Sequence, residues 1–254
     1  MKKPVALIGA GEIGGVFARG LLKLGHPVYP VTRGTDLAQA DRQGQDFLCV
    51  IVAVGEKDFH AVMGSMPLTW RNKLVLVQNE LLPKDWAAYK VEPTVISVWF
   101  EKKQPRDFKV IIPSPVFGPQ APLVSDILGA LKISARILKN ADDLLFELIL
   151  KNLYILTTNV CGLKVGGTVG DLWKHHQELA RQVAREVLDI QFKIAGKELD
   201  RERLIAGMVH AFEGDPDHVC MGRSAPARLQ RAVAQARELN LDIPALDDIS
   251  VIKN

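Results

Sequence analysis

Apolar residues fall in short runs over the first half of the chain and at helical spacing over the second. Val5–Ile8 is an apolar run of four, the mark of a strand buried on both faces. Residues 16–24 are amphipathic and stop at Gly25, which predicts a helix. Residues 26–31 give a second strand that is less than ideal, because Pro27 and Pro30 donate no ladder bond. Residues 46–54 and 73–77 are strongly apolar strands, with a crossover helix expected over 56–65. Further strands are expected over 94–100, 108–112 and 134–138, and a short helix over 121–131. Residues 113–122 hold four prolines and a glycine and are expected to be a loop. From Asn140 the pattern changes. Helical segments are expected at 144–160, 171–196, 201–210 and 225–239, with no further strand.

Strands alternating with helices predict a parallel, doubly wound α/β sheet. The expected organisation is a Rossmann sheet over residues 1–139, binding a dinucleotide, and a smaller all-helical domain over 140–254. The first strand runs directly into Gly9-Ala10-Gly11-Glu12-Ile13-Gly14, spelling G-x-G-x-x-G before the first helix. That context separates a dinucleotide fingerprint from a chance match. Gly9 permits the tight turn, Gly11 leaves room for a pyrophosphate, and Gly14 lets the helix pack on its strand. The free N–H groups and positive dipole end at the helix start suit phosphates. The second strand ends at Thr32-Arg33, a hydroxyl and a guanidinium that suit the 2′-phosphate of NADP, with Asp36 nearby as an acid for a ribose. Ligands of such sheets gather at strand carboxyl ends, so Ala53, Val54 and Asn79 join Gly9, Gly11, Glu12, Ile13, Gly14, Thr32 and Arg33 as expected cofactor contacts.

Composition narrows the partners. The 254 residues are 48% hydrophobic and 24% charged, ordinary for a globular protein, and a net charge of +3 is too small to argue for nucleic acid or an anionic membrane. Cys49, Cys161 and Cys220 are an odd count without C-x-x-C spacing, which suggests reduced thiols and a cytoplasmic location. The apolar stretch behind Met1-Lys2-Lys3 is too short for a signal peptide, and no uncharged run reaches the length of a membrane span. His210, His218, Cys220, Asp215 and Asp217 match no metal spacing, so no metal is expected.

Residues 144–156 are apolar on nearly every side, with Lys151 and Asn152 in their middle. An unpaired buried ammonium is costly, so Lys151 needs a reason. Helical spacing places Lys151, Ile155 and Asn159 on one stripe, able to present an ammonium and an amide to an oxyanion. A lysine snorkelling from one polar point of the helix is the plainer alternative.

The order of these features resembles the ketopantoate reductase (2-dehydropantoate 2-reductase) family. The matching residues are the glycine turn, Thr32-Arg33, Gln78-Asn79, Lys151, Asn159 and the tail 236–244. The resemblance implies an NADPH-binding domain, a helical domain, a catalytic site in the cleft between them, and a place in pantothenate biosynthesis. It implies that Lys151 is the general acid, that Asn79 serves both catalysis and cofactor binding, and that Asn159 contacts a small anionic 2-oxo acid. The chain departs from the family in several places. It is shorter between Arg33 and Asp46, and Glu80 and Ile155 replace a glycine and an asparagine. Cys220-Met221-Gly222-Arg223-Ser224 stands where the family has its Ser-Ser-Met and Thr-Glu signatures. Ser224 takes the place of the family's glutamate, and Arg223 offers a fork for a substrate carboxylate. The expected activity is therefore NADPH-dependent reduction of a small 2-oxo acid. A non-catalytic NADP(H)-binding protein or sensor, and a reductase of another substrate such as an imine, stand as alternatives. A homodimer is left open.

Overall fold

The structure is a computed structural model in which residues 2–101 and 108–251 are described. The chain divides into two compact units, Met1–Leu145 and Phe146–Asn254. The strands of the first unit are β1 (Val5–Ile8), β2 (Val28–Val31), β3 (Val50–Val52), β4 (Leu74–Gln78), β5 (Thr94–Ser97), β6 (Phe100–Glu101), β7 (Lys109–Val110), β8 (Ser114–Phe117) and β9 (Ala135–Ile137). Seven of them form one sheet in the order β2-β1-β3-β4-β5-β8-β9, while β6 pairs with β7 apart from it. Every pairing within the seven-stranded sheet is parallel except β5 with β8. The connecting helices are α1 (Glu12–Lys23), α2 (Leu37–Arg42), α3 (Glu56–Gly64), α4 (Pro83–Ala87) and α5 (Ala121–Gly129). This is the doubly wound sheet that the alternation of strands and helices predicts.

Burial follows the pattern. All four residues of β1 are buried, as a central parallel strand requires. Val5, Leu7, Ile51, Val75 and Ile96 of the sheet share one core with Phe17 and Leu21 of α1 and Val124, Ile127 and Leu128 of α5. Each such side chain contributes about 1.5–3 kcal/mol on leaving water. Pro30 of β2 is explained by its place: it lies on an edge strand, where a missing N–H breaks nothing on the open side.

The expected loop over 113–122 is corrected. Ser114–Phe117, inside the expected proline loop, is a strand between β5 and β9. Pro115 is accommodated because pairing with β5 covers only Val95–Phe117 and Ile96–Val116, ending one residue short of it. Ser114 and Val116 send their polar groups to the β9 side, Ser114 N to the Ser134 carbonyl and the Val116 carbonyl to Leu138 N.

The second unit is helical, as expected: most of α6 (Ala141–Val165), then α7 (Val169–His175), α8 (Gln177–Ala195), α9 (Arg201–Gly214), α10 (Ala225–Glu238) and α11 (Pro244–Val251). Residues 171–196, expected as one helix, are two, broken at His176 with φ −135° and ψ 34°. α6 is long and apolar enough to cross a membrane by length and composition, and 83% of its apolar window is buried inside the protein, as in a core helix.

The unpredicted helix α11 is seated by a side chain. Glu186 of α8 is 8% exposed and accepts from Ala245 N at 2.8 Å and Leu246 N at 2.9 Å, satisfying two donors at the start of α11. Replacing it with alanine orphans both and should cost about 1–3 kcal/mol, read as a lower urea midpoint. Burial raises the Glu186 pKa above its ordinary value despite these bonds. The folded state therefore holds this proton more tightly than the unfolded chain. The associated stability is complete below the ordinary glutamate pKa and declines as pH rises through the raised value. Glu186→Gln should flatten the urea midpoint across that window; an unchanged slope with pH would refute the assignment.

Candidate dinucleotide crevice and buried lysine

Because β1, β2 and β3 are parallel, their carboxyl ends lie on one edge of the sheet, where the strand order reverses about β1. A crevice of about 620 Å³ opens there, lined by Gly9, Gly11, Thr32, Arg33, Ala53 and Val54, among others. Six of the expected cofactor residues thus meet in one place. Glu12, Ile13 and Gly14 begin α1 beside it, and Asn79 follows β4 on the same edge.

The glycine turn is dictated by close approach. Gly9 has φ +93°, and a Cβ there would lie 2.4 Å from the Ala53 carbonyl oxygen. A Cβ on Gly14 would lie 2.0 Å from the Gly9 carbonyl oxygen. Gly11 differs: nothing lies within 4 Å of its missing Cβ. Its absence of side chain is therefore not required by the protein's own packing and leaves open space on the crevice. Gly11 is also the N-cap of α1 and supplies no side-chain hydrogen bond to the first turn. The exposed first-turn N–H groups and the helix dipole suit a pyrophosphate, so these residues fit a dinucleotide.

The far end of the crevice holds two opposite charges. Arg33 lies 92% exposed beyond β2, and its guanidinium is 3.6 Å from the carboxylate of Asp58 in the first turn of α3. Asp58 lines the crevice too. Asp36 does not: its carboxylate accepts from Ala38 N and Gln39 N and caps α2. Counting about twenty residues beyond the glycines leads to Arg33 but not to Asp58, which belongs to the next strand-helix unit. After β4, the Asn79 amide, assigned by its neighbours so that the nitrogen faces acceptors, donates to the Gln78 carbonyl at 3.1 Å and the Val98 carbonyl at 3.2 Å.

In the second unit, Lys151 is 6% exposed, and Asn152, Thr157 and Thr158 beside it on α6 are buried as well. The Lys151 ammonium sits 5.4 Å from the centre of the Tyr154 ring, a cation–π contact. Tyr154 lies against His218, ring centres 6.2 Å apart, and His218 Nδ1 is 3.7 Å from the carboxylate of buried Asp215. The segment carrying His218 is tied down by backbone bonds from Val169 N to the His218 carbonyl and from Cys220 N to the Gly167 carbonyl. Sequence spacing offers only a rejected metal set for His218 and Asp215; the fold makes them neighbours of the lysine's aromatic partner.

Asn159, two turns beyond Lys151, is held at both ends of its amide. Nδ2 donates to the Cys220 carbonyl at 3.2 Å, and Oδ1 accepts from Arg228 Nη1 at 3.0 Å. Arg223 and Ser224 are exposed, and Ser224 is the N-cap of α10 without a side-chain capping bond. The arginine that meets Asn159 is thus Arg228, one turn into α10, which sequence matching passed over. All three cysteines are free and buried. Burial pushes the Cys49 and Cys161 thiols up to about 12 and the Cys220 thiol to about 11, so none supplies a thiolate near neutral pH.

No protein-family model matches the sequence, and no curated protein matches it. Solved structures do match in fold. The 2-dehydropantoate 2-reductase of Methylococcus capsulatus superposes with a TM-score of 0.66 at 16% identity, over 98% of this chain and 95% of that one. The dimeric ketopantoate reductase of Staphylococcus aureus gives 0.65 at 18% identity, over 98% and 96%. D-mandelate dehydrogenase in its ternary structure with NADH and anilino(oxo)acetate gives 0.67 at 13% identity, over 98% and 96%. The likeness expected from the order of sequence features therefore holds across nearly the whole chain: it has the fold of the ketopantoate reductases.

Proposed function

We propose that this chain is an NAD(P)H-dependent reductase of a small 2-oxo acid, a diverged member of the ketopantoate reductase family, preferring NADPH. Residues 1–139 form the dinucleotide-binding domain and residues 140–254 the substrate domain. The observation that carries the chemistry is Lys151, a 6% exposed ammonium on α6, buried together with Glu147 and Asn152 of the same helix. Its support is the company of a glycine turn with an uncapped helix start, and a fold shared with enzymes named for 2-oxo and 2-hydroxy acid chemistry.

A bound nicotinamide supplies hydride to the substrate carbonyl carbon. The chain supplies the rest. Gly11 and the first turn of α1 hold the pyrophosphate, and Thr32 and Arg33 face the adenosine ribose and its 2′-phosphate. Asn79 offers Oδ1 to a ribose hydroxyl. The Lys151 ammonium stabilises the oxygen as it gains negative charge and then gives it a proton. Asn159, fixed by Arg228 and the Cys220 carbonyl, helps shape the substrate wall. Three reduced thiols agree with a cytoplasmic setting.

The test is a panel of 2-oxo acids, ketopantoate and an aryl 2-oxo acid included, with NADPH consumption followed optically. Saturable turnover with at least one of them is expected. Tight NADPH binding with no turnover across 2-oxo acids and imines would instead make the chain a binding protein or sensor.

A further inference from the structure

The proposed nucleotide site contains an acid that no step so far has used. Asp58 lines the crevice beside Thr32, Arg33 and Thr35, and its carboxylate lies 3.6 Å from the Arg33 guanidinium. The two groups answer different nucleotides. A guanidinium suits a 2′-phosphate, whereas a carboxylate accepts from the free hydroxyls of an unphosphorylated ribose and repels a phosphate placed beside it. Asp36, the acid nearer in sequence, is spent on two backbone N–H groups of α2. Asp58 is 42% exposed on its side chain and sits in the first turn of α3, so its charge is accessible to a ligand in the crevice.

We propose that Asp58 is a dinucleotide-specificity residue: it accepts the hydroxyls of an unphosphorylated adenosine ribose and offsets the pull of Arg33 on a 2′-phosphate, so that the crevice takes NADH beside NADPH. This rests on the crevice being the nucleotide site. In the empty protein the acid and the guanidinium neutralise each other. NADPH must draw Arg33 away from Asp58 and tolerate the carboxylate next to its phosphate. NADH leaves the pair intact and adds hydroxyl donors to it. Arg33 thus gives a preference for NADPH, and Asp58 keeps that preference narrow.

Binding, rather than turnover, tests this. The full-length chain is titrated with NADPH and NADH by nicotinamide fluorescence, as wild type, Asp58→Asn, Arg33→Ala and the double variant. Wild type should bind both. Asp58→Asn should raise the NADPH-to-NADH affinity ratio about fivefold, the scale of one partly exposed charge. The gain for NADPH should shrink at high salt, because it is electrostatic. In the Arg33→Ala background, Asp58→Asn should still weaken NADH. The proposal is overturned if wild type excludes NADH, or if Asp58→Asn moves both affinities by one factor. Wild type that binds neither nucleotide overturns the assignment of the crevice itself, a result distinct from a failed ratio.

Discussion

Lys151→Ala should lower kcat by about 10²–10⁴-fold, the usual worth of a positioned proton donor, while NADPH affinity stays within about twofold. The expectation comes from burial and surroundings together. Lys151 is 6% exposed, so its charge acts in a medium that screens it poorly, and the Tyr154 ring face holds the ammonium in place. A transition state that puts negative charge on the substrate oxygen gains more from this ammonium than the neutral carbonyl does, which is the condition for a rise in kcat. Lys151→Met keeps the length and apolar bulk of the side chain and separates packing from charge. Both variants should lose turnover, and Lys151→Met should melt above Lys151→Ala, because it fills the space that alanine leaves empty. Turnover kept in Lys151→Met, with stability lost in both variants, would make the lysine a packing element and remove the proton donor from the mechanism. Imidazole or small amines added to Lys151→Ala should restore part of the rate if a missing proton is the cause.

The two halves of the chain were legible to different depths, for physical reasons. β1 announces itself because a strand buried on both faces must be apolar throughout, and Val5–Ile8 is followed at once by the glycines its turn needs. α6 is equally plain, since a helix hydrophobic all round belongs in a core. β8 was not legible. The prolines of residues 113–122 signal a loop, and only the local end of pairing with β5 makes Pro115 harmless, a fact of tertiary register. α11 was missed for a similar reason: its first N–H groups are satisfied by Glu186, fifty-nine residues earlier. Site residues divide the same way. Those on the glycine turn obey a local motif. Asp58, Arg228 and His218 reach their partners through long-range contacts, to Arg33, Asn159 and Tyr154, that spacing along the chain does not encode. Asp58 stands six residues past β3, within reach of the strand ends where ligands of such sheets gather.

Gly14→Ala and Gly15→Ala, neighbours on one helix, should act in opposite directions. A Cβ on Gly14 meets the Gly9 carbonyl oxygen at 2.0 Å and the Ala53 Cβ at 3.6 Å. The Gly9 carbonyl has nowhere to retreat, since Gly9 is itself pressed on the Ala53 carbonyl at φ +93° and Gly9 N is bonded to the Val31 carbonyl. The start of α1 must therefore lift from the turn. Overpacking of this kind costs about 1–3 kcal/mol, and the shifted N–H groups no longer meet a pyrophosphate, so NADPH affinity should fall by more than about tenfold. Gly15 has no atom within 4 Å of its missing Cβ and lies inside the helix, so alanine there should stabilise by about 0.5–1 kcal/mol and leave affinity unchanged. Gly11→Ala completes the comparison. Its Cβ also meets nothing in the protein, and its φ of −72° admits an L side chain, so stability should hold. If the space before Gly11 belongs to a pyrophosphate, NADPH affinity must nevertheless collapse. Loss of binding without loss of stability at Gly11, loss of both at Gly14 and of neither at Gly15 would identify the ligand from the protein side alone. Unchanged NADPH affinity in Gly11→Ala would remove the pyrophosphate from this turn and leave its glycines a purely structural device.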